Sequence, residues 1–396
     1  MKTVLLLLVT FTQIQAIAKT NNPLEILQQE KIENSWIAYK VPAQENTQSM
    51  CCWSQKGVSI IVNSSNNYKF ESCDLNSKSH GYGTTDKSPI TENINVYVQV
   101  KHGKIKQILS VGDSCEIKAS KQKISWVSNI DESKSIKFLE NVTTNSKEDI
   151  AHDALYAISH HKSHEASLSL YEIALKNNND ISENAVFWLG EARYDGVDYL
   201  KKLYQNLPKG EVKQKINFAL SQAKNEQAID MLKSIAKNDK DAEQRSDAIF
   251  WLSQNDIMGI VPFLLTTVES DSSTEVQEKA VFSLSQVETE SAANALVKLA
   301  QTHQRKNIRE KALFWLVEVN PKKAKHIILK ILKNNIRRDE QDNAVFTLSR
   351  IDEESGEEGL FEILTGDYSK AVKKKALFWL AQSDDKKTID RLQTLL

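Results

Sequence analysis

The hexapeptide KALFWL occupies residues 311–316 and returns unchanged at residues 375–380, so the two copies lie 64 residues apart. A looser form of it occurs eight times at spacings of 31 or 32 residues. In this form a small or apolar residue is followed two positions later by an aromatic residue and four positions later by Leu or Ile. A fixed period of this length predicts a solenoid of helical repeats.

Each repeat contains two segments with helical periodicity. The first carries the motif, as in VQEKAVFSLSQ (276–286), and the second follows a short polar turn, as in SAANALVKLAQ (291–301). A single helix pair cannot bury its apolar stripe, so neighbouring pairs must stack. We therefore predict a mainly α protein whose residues 133–396 form an α-solenoid of about eight helical hairpins, with residues 133–142 capping its front.

The position before the motif Leu alternates between large and small residues, which explains the 64-residue interval between identical copies. In chain order it holds Ala157, Trp188, Ala219, Trp251, Ser283, Trp315, Thr347 and Trp379. A Trp of one repeat would fill the space beside a small residue of the next. We predict that these Trp side chains belong to the core, where truncation of one to Ala costs about 3–5 kcal/mol.

The motif aromatic lies opposite the apolar arc of its own helix when residues are placed at about 100° intervals. We call these residues the aromatic ladder: Tyr156, Phe187, Phe218, Phe250, Phe282, Phe314, Phe346 and Phe378. Four positions after each ring, beginning with the second repeat, stands the polar ladder: Glu191, Gln222, Gln254, Gln286, Glu318, Arg350 and Gln382. Rings beside amides and carboxylates suit an extended peptide. Alternatively, the rings pack between neighbouring repeats. One ring can both pack there and contact a ligand.

The repeat resembles the short HEAT repeats, also called the HEAT-like repeats of bilin lyases. Val276, Ile308 and Val372 hold the leading aliphatic position, Arg309 matches the Arg, and Gly190 matches the Gly after the Leu. Other repeats have Ser, Val or Ala in place of that Gly. The resemblance implies that the motif helices line a concave face, and that this face binds other proteins.

Residues 19–132 have a different pattern, which predicts a small β-rich domain. NINVYVQVKHGKIKQILSV (93–111) alternates as a β-hairpin does, and GVSIIVN (57–63) and KISWV (123–127) are further strand candidates. WIAYKVP (36–42) with MCCW (50–53) resembles the N-terminal region of exported bacterial HEAT-repeat proteins.

All four cysteines, Cys51, Cys52, Cys73 and Cys115, lie in this β-rich region. An even number in an exported chain predicts disulfides. Two pairings remain open: Cys51 with Cys73 and Cys52 with Cys115, or Cys51 with Cys115 and Cys52 with Cys73. The spacing has no C-x₂-C pair, which argues against a zinc site.

Residues 1–18 have the pattern of a secretory signal peptide. Lys2 precedes an apolar run at 4–9, and Ala16 and Ala18 form a small-residue cleavage site. The pattern predicts a periplasmic or secreted protein with cleavage after Ala18, and an uncleaved anchor is the alternative. No later segment reaches the 18 apolar residues of a membrane span.

Composition and motifs exclude several classes of function. Lys and Arg total 51 against 52 Asp and Glu, so a basic footprint for nucleic acid is missing. No nucleophile, phosphate-loop or metalloprotease motif occurs. The histidines of SHHKSHE (159–165), including His160 and His164, fall at a predicted turn, and we predict no metal and no cofactor.

The sequence therefore predicts a non-enzymatic, exported scaffold that binds a protein or extended peptide on the concave face of its solenoid. One alternative is a bilin-lyase-like transferase. The other is a structural envelope component that forms a homodimer through its C-terminal end, where Leu392, Leu395 and Leu396 lie in the last helical segment.

Overall fold

The computed structural model describes residues 34–53, 72–75, 81–83, 88–119, 123–176, 180–191, 195–223, 225–255, 257–333, 338–351 and 353–395. The chain divides into two compact units, residues 1–225 and residues 226–396, which are described separately. The predicted signal peptide and the strand predicted at 57–63 lie outside the described residues. The predicted domain boundary at 132/133 stays a prediction.

The first unit begins with eight described strands: β1 (Asn34–Pro42), β2 (Cys51–Trp53), β3 (Ser72–Asp74), β4 (Gly81–Gly83), β5 (Asn93–Lys101), β6 (Lys104–Gly112), β7 (Glu116–Lys118) and β8 (Ile124–Trp126). Four of them form a sheet in the order β6-β5-β1-β8. β5 pairs antiparallel with both β1 and β6, and β8 joins β1 in parallel. β2 pairs with β4, and β3 pairs with β7.

The structure confirms the predicted hairpin at 93–111 and the strand at 123–127. His102 and Gly103 form the hairpin turn with φ of 52° and 68°, in the left-handed region that a tight turn between strands requires. Val96, Val98 and Val100 of β5 are fully buried, and Asn95 and Tyr97 between them are buried as well, so both faces of the strand are covered there.

Two disulfides join the short strands around this sheet. Cys51 pairs with Cys115 and Cys52 with Cys73, with Cα–Cα distances of 5.2 and 4.9 Å. This is the second of the two pairings that the sequence left open. The four cysteines pack in one apolar cluster with Trp36, Leu109 and their neighbours, so the bridges lie inside the domain core.

Seventeen helices follow in the described residues. The first unit holds α1 (Glu132–Asn145), α2 (Glu148–Ser159), α3 (His164–Leu175), α4 (Asp180–Glu191), α5 (Gly196–Asn206) and α6 (Glu211–Gln222). The second unit holds α7 (Glu226–Asn238), α8 (Ala242–Ser253), α9 (Ile260–Ser270), α10 (Thr274–Gln286), α11 (Glu290–Thr302), α12 (Lys306–Val319), α13 (Pro321–Lys333), α14 (Arg338–Ser349), α15 (Glu353–Thr365), α16 (Lys370–Leu380) and α17 (Lys386–Leu395).

These helices confirm the predicted mainly α fold with a small β region before the repeats. The motif lies on α2 and on every second helix after it, and α1 occupies the predicted front position. In α10, Val276, Ala280 and Leu284 are fully buried because their spacing places them on one face. Within the described residues, no helix is long and apolar enough to cross a membrane.

Gly190 allows a close approach of α4 and α6. A Cβ at this position would lie 2.4 Å from the carbonyl oxygen of Ala219, and backbone atoms cannot rotate away. We expect Gly190→Ala to lower the free energy of unfolding by about 1–3 kcal/mol, the cost of overpacking. Thermal unfolding measures this, with Gly210→Ala as the control because nothing lies within 4 Å of a Cβ there. Equal effects of the two substitutions would contradict the close packing.

A buried polar chain connects β1 with the first helical repeat. Ser135 Oγ of α1 lies 2.9 Å from Tyr39 Oη and 2.8 Å from His161 Nε2. His161 Nδ1 lies 2.8 Å from the carbonyl oxygen of Ala157 and donates to it, so Nε2 of the neutral ring accepts from Ser135. Desolvation lowers the pKa of the fully buried His161 to about 4.

This histidine predicts acid sensitivity of the first unit. A His in the unfolded chain has a pKa near 6.5. Between about pH 6.5 and pH 4, His161 is therefore protonated in the unfolded chain and neutral in the folded one. Stability is fully present above pH 6.5, and we expect it to fall by about 1.4 kcal/mol per pH unit across this window. Urea unfolding at several pH values measures the slope. The slope should become shallower in His161→Gln, whose amide keeps both hydrogen bonds without titrating; an unchanged slope would contradict the assignment.

Candidate binding face of aromatic and polar ladders

The aromatic ladder of the second unit consists of two runs of ring contacts, one from Phe250 to Phe314 and one from Phe346 to Phe378. Phe250 stacks on Phe282, with centroids 6.2 Å apart and an interplanar angle of 10°. Trp315 lies 4.8 Å from Phe282 and 5.0 Å from Phe314. Trp379 repeats this arrangement between the last two rungs, Phe346 at 5.2 Å and Phe378 at 5.1 Å. Rings of successive repeats therefore form one face.

None of the eight rungs is fully buried. Six are half-buried, while Phe346 is 38% and Phe378 is 51% exposed. The rings thus pack across repeats and also present an edge to solvent, which combines the two interpretations that the sequence left open. Whether this face is concave and binds a ligand stays a prediction.

Two cations lie over pairs of rungs in the second unit. Lys279 Nζ is 5.7 Å from the centroid of Phe250 and 5.4 Å from that of Phe282. Arg350 of the polar ladder lies 5.8 Å from Phe314 and 6.0 Å from Phe346. Such contacts contribute about 0.5–1 kcal/mol each at exposed sites, so they help to hold neighbouring rings in place.

The first three rungs lie in the first unit. Phe187 stacks on Phe218 with centroids 5.9 Å apart. Tyr156 contacts Trp188 and directs its hydroxyl to the sulfur of Met50 in the β region. Burial raises the pKa of Tyr156 above its ordinary range. Because its hydroxyl contacts Met50, this end of Tyr156 is turned to the β region.

The alternation of large and small residues has a different role from the one predicted. Ala157, Ala219 and Ser283 are fully buried and Thr347 nearly so, but Trp188, Trp251, Trp315 and Trp379 are only half-buried. The prediction that these tryptophans are core residues was wrong. Where their ring contacts are described, each indole extends outward to the ladder rings instead of filling the interior between helices.

The polar ladder lies along the C-terminal ends of the motif helices. Its members are exposed, except Gln222, which is half-buried. In three repeats a Ser precedes the Gln: Gln222, Gln254 and Gln286 each donate to this Ser, and the Ser donates back to the carbonyl of the ladder Phe. The Ser thus fixes the amide beside the ring, and this leaves the amide oxygen as the acceptor for a ligand.

Two clefts open beside the polar ladder of the second unit. One, of about 740 Å³, is lined by Gln286, Trp315, Glu318 and Lys323 among others. The other, of about 750 Å³, lies between Gln254 and Gln286 and is bordered by Met258, which is 98% exposed. The clefts share Gln286, so ladder residues line both of them.

The other predicted candidates lie elsewhere. His160 follows the end of α2 and His164 begins α3, so the segment is the turn that the sequence predicted. His164 pairs with Asp195 and lies 3.0 Å from the hydroxyl of Tyr199. All four cysteines are in disulfides, so none is free.

Comparison with known proteins yields structural neighbours only. No described protein family and no curated protein matches this chain.

Three solved structures are similar at low identity. The complex of CpcE and CpcF of phycocyanin lyase from Nostoc sp. PCC7120 is 17% identical, with 57% of this chain and 92% of that chain covered and a TM-score of 0.27. Human deoxyhypusine hydroxylase is 12% identical, with coverages of 62% and 96% and a TM-score of 0.26. Kap121p is 15% identical, with coverages of 66% and 33% and a TM-score of 0.35. At these scores no functional argument passes from them to this chain.

Arg245 occupies the same repeat position as Arg309, although the repeat motif did not single it out. Both arginines donate Nη1 to the carbonyl oxygen six residues earlier, Asp239 at 2.8 Å and His303 at 2.7 Å. Arg245 also forms a two-bond pair with Asp271, each bond 2.8 Å long. Alignment of all repeats at this position would have revealed the second Arg.

Proposed function

We propose that this chain is a non-enzymatic scaffold that binds an extended segment of a partner protein on the aromatic face of its second unit. The observation that supports this proposal is the partly exposed rings from Phe250 to Phe378, which pack in two runs with Arg350 over the adjoining rings Phe314 and Phe346. Rings held in place by neighbours lose little freedom on binding, which favours contact with apolar side chains.

The polar ladder supplies the second half of the recognition. Gln254, Gln286 and Glu318 are exposed beside the rings, and their oxygens suit the backbone N–H groups of an extended segment. The rings then contact side chains of the segment while the polar ladder bonds its backbone. Specificity would come from the clefts next to Gln286, which accept side chains of defined size.

We further propose that the protein acts in an exported, oxidising compartment. The two bridges inside the β-region core support this, since disulfides persist in such compartments and are rare in the cytosol. With every cysteine paired, no thiol is left for a transferase reaction, which supports the non-enzymatic proposal. Pairing in the native protein is checked by alkylation without reduction, and a free thiol would favour the transferase.

Site-specific photo-crosslinking in the native organism tests the binding face. A benzophenone amino acid is placed at Phe346 or Phe378, at Lys298 on α11 as a control, or at the exposed Trp126 of β8. We expect a discrete adduct from the two ladder positions and none from Lys298. Adducts from Trp126 alone would place the partner on the β region and contradict the proposal.

A further inference from the structure

Three potential metal ligands converge between the first two motif helices, apart from the aromatic face. Glu148 and His152 lie one turn apart on α2, and Asp180 begins α4. One ligand atom from each lies within 4.8 Å of the others. His152 Nε2 is covered from solvent and lies 2.8 Å from Asp180 Oδ2, but it makes no hydrogen bond with the described residues. In the tautomer protonated at Nδ1, Nε2 carries a lone pair beside the Asp180 carboxylate, and a cation held between them can bind both.

The sixth repeat has a cation at the equivalent positions. Lys306, Glu310 and Asp339 stand where Glu148, His152 and Asp180 stand, counted from the motif Ala of each repeat. The Lys306 ammonium pairs with both Glu310, at 3.6 Å, and Asp339. The sixth repeat thus holds a positive charge between α12 and α14, bound by the two acidic groups.

In the fifth repeat the positions of His152 and Asp180 are held by Glu278 and Asn307, and Lys311 lies 3.7 Å from Glu278 Oε2. Asn307 donates its amide to Glu278 at a distance of 2.9 Å, so donor and acceptor satisfy each other directly. In the first repeat neither a lysine nor an asparagine stands at these positions. Glu148 replaces the lysine with a third ligand, and neither Glu148 nor Asp180 pairs with a Lys or Arg in the part of the chain that the structure describes.

One ligand of the first-repeat cluster is already oriented. Asn184 donates to Asp180 Oδ2 at 3.2 Å and to the Asp180 carbonyl at 2.9 Å, which restrains that carboxylate. Such hydrogen bonds to ligating carboxylates fix their direction and raise metal affinity. Two carboxylates and one imidazole carry a net negative charge that a divalent cation would neutralise.

We propose that Glu148, His152 and Asp180 bind one divalent transition-metal ion of the zinc class. The imidazole nitrogen favours zinc over magnesium and calcium, which prefer all-oxygen ligands. The ion would occupy the place that the Lys306 ammonium takes in the sixth repeat and would join α2 to α4. This inference is independent of the aromatic face.

Calorimetric titration of zinc into the metal-stripped, tag-free full chain tests the proposal. We expect one ion per chain, a raised unfolding temperature, and no comparable binding of calcium or magnesium. His152→Ala should weaken zinc binding more than about tenfold, because even loss of a residue behind a ligand costs 10–100-fold. His164→Ala is the control, since this histidine is also paired with an Asp.

Glu148→Lys separates metal binding from folding. It copies the sixth repeat, so we expect it to abolish zinc binding while the metal-free protein unfolds at or above the wild-type temperature. Zinc binding that survives His152→Ala, that is lost in His164→Ala, or that is missing from the wild type would overturn the site. In each of these cases His152 and Asp180 form an ion pair only.

Discussion

Replacing Cys51 and Cys115 together with serine is expected to lower the stability of the β region by about 4 kcal/mol, and replacing Cys52 and Cys73 by about 3 kcal/mol. These figures follow from the chain entropy that each bridge removes from the unfolded state, with sequence separations of 64 and 21 residues. β2, β3 and β7 have three residues each, so their hydrogen bonds alone cannot hold them.

Hydrogen exchange of the β5 amides in the full chain measures this loss at the strands themselves. Double variants are necessary, since a single substitution leaves a free thiol. The longer-loop variant should show the larger loss. Unchanged β5 protection in both variants would show that the apolar core holds the strands without the bridges.

Arg245→Ala is expected to destabilise the second unit by about 3–5 kcal/mol, since it leaves a buried carboxylate without its partner. The side chains of Arg245 and Asp271 are 10% and 8% exposed, and two hydrogen bonds join them. Partial burial raises the pKa of Asp271, but hydrogen bonds from Arg245 and from the Ser273 amide outweigh burial and hold it below its usual value.

Two other pairs serve as graded controls for Arg245. Arg309 and Glu340 are 21% and 14% exposed, so Arg309→Ala should cost less. Lys375 and Asp342 are 39% and 45% exposed, and exposed pairs contribute about 0–1 kcal/mol. The losses of stability in Arg245→Ala, Arg309→Ala and Lys375→Ala, measured by urea unfolding, should decrease in this order. Equal losses would show that burial of the pair does not set its contribution.

The repeats could be predicted from sequence because each unit is local. The spacing of Ala280, Leu284 and their equivalents encodes one buried face, and the period encodes the stacking. The hairpin was predictable for the same reason, since alternation and the turn at Gly103 lie within a few residues. Cysteine pairing was not, because it depends on how β2, β3 and β7 meet in space.

The candidate site was predicted in outline but not in detail. The wheel placed Phe282 and Phe314 correctly outside the apolar arc of their helices. It could not show that Trp315 lies between them, because an angle around the axis does not tell how far a long side chain reaches. Nor could it show that Ser285 fixes Gln286, a contact that depends on rotamers at the helix end.

The central claim is that the ladder of the second unit binds an extended protein segment, and calorimetry with the crosslinked segment tests it most directly. The wild type is compared with a Phe346→Ser and Phe378→Ser double variant, and with Ile389→Ser, which removes an apolar side chain of similar exposure outside the ladder. Circular dichroism first establishes equal helix content. We then expect the double variant to bind at least about tenfold more weakly than the wild type, and Ile389→Ser to bind with wild-type affinity. Equal affinity for all three proteins would contradict it.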